Sequence, residues 1–273
     1  MKHNSPDICV LKAFGVSGKP VRFTGGQGTS YLVDNIVLKP TSNSIEASWI
    51  ANMYNNLNSD KFRIAKPIRA KNNSWVFNKW TANKFIKGKH KEGNYLEIIK
   101  VSKIFHKALL GIPKPAFLNN NNDAWGIADK IAWGELPVPK NRLTNEAFKK
   151  IFNNLNSNKL PNQIIHGDIG GNVLFDSKLV PTVIDFCPYW RPANFAIAIT
   201  IIDGLVWQNA HKLIIDLCKD IKDFDQLLLR ALARRICEYL EHQKNNNKDY
   251  SEDIIKHTNI VDTVIEKIKK LSK

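Results

Sequence analysis

Ile164-Ile-His-Gly-Asp-Ile-Gly-Gly-Asn-Val-Leu-Phe-Asp176, followed by Val183-Ile-Asp-Phe186, is the stretch on which the reading of this chain turns. Short apolar runs flank a polar loop that carries His166, Asp168 and Asn172, and a further carboxylate, Asp185, ends a second apolar strand. Buried strand ends seldom hold an Asp without a partner, because an unpaired carboxylate is costly to desolvate. Two carboxylates and an amide on adjacent loops make an all-oxygen donor set, which suits Mg²⁺ better than a softer metal. The bland alternative is that Asp168 and Asp185 only cap turns, and the density of polar groups argues against it.

Upstream, Thr24-Gly-Gly-Gln-Gly-Thr-Ser-Tyr31 reads as a glycine-rich turn between two strands. The backbone of Gly25, Gly26, Gln27 and Gly28 can bring N–H groups close to a phosphate chain. A strand follows this turn, whereas a Walker A loop or a dinucleotide fingerprint opens a helix. An ordinary hairpin turn is the competing reading. Lys39 closes the apolar strand Ile36-Val-Leu-Lys-Pro40, one hairpin after Gly28, so its ammonium group is within reach of phosphates that the loop would cover. Otherwise it is a solvated edge lysine. Glu46, on the helix that follows, is a candidate partner to hold it.

The rest of the chain divides in character near Trp80. Before it, Val21 to Phe23, Ser30 to Val33 and Asn35 to Lys39 predict an antiparallel meander with Asp34-Asn35 as a turn. Ile45, Trp49, Met53 and Leu57 predict one helix capped at Ser42, Asn43 or Ser44, and strands are expected over 62–69 and 74–79. After it, helices are expected over 94–110, 144–155, 193–210, 211–219, 223–243 and 251–271, with short strands around 164–165, 172–176 and 181–186. A small β-rich lobe over 1–80 and a larger, mainly helical lobe over 81–273 make an α+β arrangement.

Composition bounds the function. Hydrophobic residues at 43% and charged ones at 24% describe a globular chain, and the most apolar run, Ala193 to Trp207, is interrupted by Thr200, Asp203 and Gly204 and reads as a core helix. The net charge of +15 invites a polyanion partner. Against that, 32 of the 40 cations are Lys and Asn occurs 30 times, a joint excess that AT-rich codon usage produces without any such partner. The four cysteines form no C-x-x-C pair, so no zinc or redox site is expected. Residues 1–10 lack the apolar core of a secretory signal, and a reducing cytoplasm is the expected compartment, with no membrane association.

At His166-Gly167-Asp168, Asn172 and Ile184-Asp185-Phe186 the chain resembles the aminoglycoside phosphotransferase and choline kinase-like family. The string Val183 to Pro192 looks like a bacterial branch distinct from the resistance enzymes. The resemblance implies a two-lobed protein-kinase-like fold and transfer of the ATP γ-phosphate to a hydroxyl of a small molecule. It implies that Asp168 orients the acceptor hydroxyl and takes its proton, that His166 shapes the catalytic loop, and that Asn172 and Asp185 hold Mg²⁺. Lys39, paired with Glu46, would contact the α- and β-phosphates, and Gly25 to Gly28 would roof the triphosphate. The backbone around Lys79, Trp80, Thr81 and Ala82 would meet adenine. An aspartate on the helix after Phe186 supports the catalytic loop in this fold through backbone N–H groups, which points to Asp203, with a pair to Arg191 as the alternative. Trp133, Trp190 and Trp207 are candidates for an acceptor pocket or for core.

Two departures bear on detail. Only three residues separate Asp168 from Asn172, where most of the family has four. A basic chain also suits a polycationic aminoglycoside poorly. The rival readings are a kinase acting on a protein, against which the short Cys187 to Pro192 segment argues, and a non-catalytic pseudokinase or nucleic-acid-binding protein, against which the joint presence of Lys39, Asp168, Asn172 and Asp185 argues.

Overall fold

In a computed structural model, which describes residues 5–24, 28–156, 160–246 and 248–271, the alternation Ile36, Leu38 against Val37, Lys39 folds as the third strand of a meander. Strands β1 (Val21–Arg22), β2 (Tyr31–Val33) and β3 (Ile36–Pro40) pair in sequence. Strands β4 (Arg63–Ile64), β5 (Pro67–Ile68) and β6 (Trp80–Lys84) follow, and the five-stranded sheet runs β1-β2-β3-β6-β5, with Leu38 opposite Ala82. Asp34 takes the left-handed conformation (φ 52°) that the two-residue turn between β2 and β3 requires. Val33, Ile36, Leu38 and Ala82 bury one sheet face against Val10 and Ala13 of helix α1 (Ile8–Ala13). Complete burial of Leu38 contributes about 2 kcal/mol. Helix α2 (Ser44–Asn56) begins where expected: Asn43 accepts from the Glu46 N–H, and its amide donates back to the Glu46 carboxylate.

The chain forms two compact units, the first comprising 1–90 together with 173–185, the second 91–172 with 186–273. This corrects the expected break at residue 80. Strand β6 is a central strand of the first sheet, and β8 (Val173–Leu174) and β9 (Thr182–Val183) join the same unit because β9 pairs in parallel with β4. The strand expected over 74–79 is also corrected. Asn78 and Lys79 are both left-handed (φ 46° and 63°), so Trp75, Val76 and Phe77 lie before a turn and the strand starts at Trp80.

The second unit is built on helices. Helix α3 (Tyr95–Ala108), α4 (Ala124–Ala132), α5 (Asn145–Asn153), α6 (Phe195–Trp207), α7 (Phe224–Asn246), α8 (Ser251–Asn259) and α9 (Val261–Leu271) pack with α7 at the centre, against which α4, α5, α6, α8 and α9 all lie. Helix α6 is the expected core helix, buried from Phe195 to Ile202. Among the described residues no helix is long and apolar enough to cross a membrane. The expected single helix over 251–271 breaks at Ile260, and 212–218 is a 3₁₀ turn rather than an α-helix. Helices α1 and α4 were absent from the sequence reading. So was β10 (Pro188–Arg191), which pairs antiparallel with β7 (Gln163–His166).

Candidate active site

In the second unit, β7 delivers His166-Gly167-Asp168 into a turn whose backbone groups are nearly all held. His166 is completely buried and its Nδ1 accepts the Asp168 N–H (3.2 Å). The His166 N–H in turn donates to Nε2 of His106 (3.0 Å), whose Nδ1 donates to the Ser102 carbonyl on α3 (2.8 Å). Burial, reinforced by the nearby His166, lowers the His106 pKa to about 3, so its ring stays neutral and its Nε2 stays an acceptor. The Gly167 N–H donates to the Cys187 carbonyl (2.8 Å), and the Gly167 carbonyl accepts from Arg234 (3.1 Å). A Cβ at Gly167 would overlap the Tyr189 ring, so only glycine allows β10 to approach this closely. The role expected for His166, shaping the loop, agrees with these bonds.

Asn172 closes the loop. Its Nδ2 donates to the Asp168 carbonyl (2.6 Å) and lies 3.3 Å from Asp168 Oδ2, while its N–H reaches the Ile169 carbonyl (3.0 Å). With three intervening residues the loop is a tight turn, and it leaves Oδ1 of Asn172 as the atom available to a cation. Asp168 itself is 45% exposed, the one open carboxylate of its cluster. Its Oδ1 accepts from Nη2 of Arg235 (2.9 Å), on α7. Arg235 also binds both oxygens of Asp203 and one of Glu238. Burial alone would pull the Arg235 pKa down, but Asp203, Glu238 and Asp168 outweigh it and hold the group well above its usual value. The pair with Arg191 expected as the alternative for Asp203 is corrected, and its link to the catalytic loop runs through Arg235 instead of backbone N–H groups. Asp203 meets Arg235, because Arg191 is engaged by Asp129 (2.7 Å) and Glu135 (2.6 Å).

In the first unit, Lys39 stands opposite Thr81 in the β3–β6 ladder, and its Nζ forms an ion pair with the Asp185 carboxylate. Asp185 adopts φ 48°, a conformation that Asp tolerates better than a branched residue and that aims its side chain sharply off the strand end. Glu46 lies in the first turn of α2, bonded to Asn43. Gly28 is left-handed (φ 60°), as a turn glycine should be, and its carbonyl accepts from Arg22. Gly25, Gly26 and Gln27 lie outside the described residues. Of the segment expected to meet adenine, the Lys79 carbonyl accepts from Thr41, Trp80 exchanges hydrogen bonds with Phe77, and Thr81 is inside the ladder. Where the chain leaves β6, among the described residues the N–H groups of Ile86, Lys87 and Gly88 meet no backbone carbonyl.

Of the three tryptophans, Trp133 is packed between the guanidinium groups of Arg191 and Arg230 (4.9 and 4.7 Å), and Trp207 meets the rings of Tyr239 and His257 edge to face. Trp190 borders a polar cavity of about 180 Å³ with Lys114, Asp129 and Arg191. Sequence reasoning missed His106, Arg234 and Arg235. A signal for the arginines existed: in a chain with 32 Lys, three of only eight Arg fall on one helix at 230, 234 and 235. Those are positions where a planar fork of donors is needed and an ammonium does not serve.

Among the described residues no three His, Cys, Asp or Glu side chains converge as a metal centre. No family model matches the chain, and no curated protein matches it in sequence. Solved structures do match in fold. Spectinomycin phosphotransferase in complex with ADP and spectinomycin superposes with a TM-score of 0.62 at 16% identity, over 94% of this chain and 96% of that one. Choline kinase from Streptococcus pneumoniae gives 0.59 at 9% identity, over 91% and 93%. The GDP complex of aminoglycoside 2'-phosphotransferase-IIIa gives 0.58 at 11%, over 95% and 97%. The chain has the protein-kinase-like fold of these small-molecule phosphotransferases.

Proposed function

We propose that this protein is an ATP- and Mg²⁺-dependent phosphotransferase that moves the γ-phosphate of ATP to a hydroxyl of a small molecule. The observation that carries the reading is Asp168, a half-exposed carboxylate on a turn fixed from three sides by His166, by Asn172 and by the Arg235 fork. Such a group is placed to accept a proton from a hydroxyl without moving. The acceptor oxygen bonds to the γ-phosphorus, the bond from that phosphorus to the β,γ-bridging oxygen breaks, ADP leaves, and the hydroxyl proton passes to Asp168.

The first unit takes the nucleotide in this reading. Lys39 supplies positive charge to the α- and β-phosphates, and Glu46 remains its proposed support. Gly25 to Gly28 cover the triphosphate, and the open N–H groups at 86–88 replace Lys79 to Thr81 as the proposed adenine contact. A metal centre of the Mg²⁺ type needs only one or two protein oxygens besides phosphate and water. The Asn172 amide oxygen and the Asp185 carboxylate fit that donor set, and the bound ion would neutralise phosphate charge. ADP with spectinomycin in one similar structure, GDP in another and the choline kinase activity named for a third support the nucleotide and acceptor classes. A protein acceptor is disfavoured because β10 begins two residues after Phe186, leaving no loop to recognise a peptide.

The test is transfer from [γ-³²P]ATP to a panel of sugars, amino alcohols and small proteins. Asp168→Ala is expected to abolish transfer and to keep MgATP binding, seen as thermal stabilisation of ~2.7 kcal/mol at a ligand concentration 100-fold above Kd. Asp185→Ala is expected to lose that stabilisation. Full activity of Asp168→Ala on an identified acceptor would remove the assignment of the base.

A further inference from the structure

Three carboxylates surround Arg235, and their exposures differ. Asp203 and Glu238 are 21% and 6% exposed and are engaged by the guanidinium, through Nε to Asp203 Oδ1 and Nη1 to Glu238 Oε2, both at 2.8 Å. The other Glu238 oxygen faces Nε of Arg234 (2.9 Å). Asp168, the third, keeps its outer face open while Nη2 of Arg235 grips Oδ1. The guanidinium, 12% exposed, cannot lose its proton in this company.

We infer that Arg235 is a positioning residue for Asp168 and the determinant of acceptor charge, so that the acceptor is a polyol or sugar that is neutral or anionic beside its reacting hydroxyl, not an amine. This inference rests on the phosphotransfer reading. A kinase that binds a cationic acceptor needs carboxylates free to meet the ammonium. Here two of the three are already neutralised, and a cation held against the third would lie within a few ångströms of a fixed like charge. A hydroxyl has no such conflict. It needs one lone pair of Asp168 as acceptor, and Oδ2, which takes only one long hydrogen bond from the Asn172 amide (3.3 Å) while Oδ1 is bound to Arg235, has one to give. The fork also restricts Asp168 to one orientation, which a lysine at 235 could not do for three carboxylates at once.

The test uses matched acceptors that differ only in charge: glucose, glucosamine and gluconate, and glycerol, 2-amino-1,3-propanediol and glycerate. Transfer from [γ-³²P]ATP is measured with the full chain and with Arg235→Gln and Arg235→Lys. In at least one set the wild type is expected to favour the neutral or anionic member over the amine by ten-fold or more in kcat/KM. Arg235→Gln is expected to narrow that preference below three-fold and to lower kcat on the neutral member about ten-fold with little change in KM. Arg235→Lys, which keeps the charge should the Gln variant fail to fold, is expected to retain the preference and lose kcat. Preference for the amine in the wild type would overturn the inference, as would a preference unmoved in a folded Arg235→Gln, or no transfer to any member by protein that binds MgATP. A wild type that does not bind MgATP at all would bring down the phosphotransfer reading itself, and this inference with it.

Discussion

The smaller unit holds 103 residues with 15 Lys and Arg against 6 Asp and Glu, whereas the larger holds 170 with 25 against 19. Each contains one carboxylate central to the proposed reaction, and each secures it in a different way. Asp185 is met by a lysine, with both side chains well exposed at 51% and 39%. Asp168 is met by an arginine that water scarcely reaches, backed by a second buried arginine, Arg234, and its partner Glu238. An exposed Lys–Asp pair in high dielectric contributes little and exchanges readily, so an incoming polyphosphate can compete for Lys39. A buried, forked network does not exchange, and it trades net stability for one fixed geometry. The contrast separates a region whose charges can exchange partners from a region made to hold still.

Removing Arg234 tests the rigid side and should have the largest effect. Arg234→Met leaves Oε1 of the buried Glu238 without its facing cation and frees the Gly167 carbonyl, so urea denaturation is expected to show a loss of about 3–5 kcal/mol. A loss below about 1 kcal/mol would erase the contrast drawn above. The next effect is a pH dependence. His106 is held neutral in the fold, with its pKa lowered to about 3, while an unfolded histidine titrates near 6.5, so between those values the unfolded chain binds the extra proton. Its contribution is complete above pH 6.5 and is lost as pH falls toward 3, about 3 kcal/mol between pH 7 and 4. His257, lowered to about 4, acts in the same direction. His106→Gln is therefore expected to flatten, not abolish, the acid limb of denaturation midpoint against pH. The smallest effect belongs to the exchangeable pair. Lys39→Met should change stability by less than about 1 kcal/mol while removing the thermal stabilisation by MgATP. A large loss of stability without nucleotide would make Lys39 part of the scaffold instead.

Much of the site could be read from local order. His166, Asp168, Asn172 and Asp185 fall within 20 residues, and the apolar segments around them announce strands, so their chemistry shows in the letters. Lys39 was legible because it ends a strand one hairpin from the glycine turn. Arg235 was not, since it meets Asp168 across 67 residues and only tertiary packing makes them neighbours. The same holds for His106 and His166, 60 residues apart, and for Asp203, whose partner is one α7 arginine among several nearby cations. The strand expected over 74–79 was misplaced for a local reason. Trp75-Val76-Phe77 has the apolar character of a strand, but two consecutive left-handed residues turn the chain, and the strand begins only at Trp80.

The parallel pairing of β4 with β9 sets a schedule for synthesis. Ile64 waits for Val183, 119 residues later, before its sheet can form. At roughly 5–20 residues per second on the ribosome, that interval is on the order of ten seconds. During it the five-stranded sheet has all its strands, while Arg63 and Ile64 remain an unpaired edge. The small unit therefore becomes complete only after about half of the larger one, residues 91–172, has been made, and a nascent chain stalled before residue 173 exposes the edge that a chaperone would have to cover.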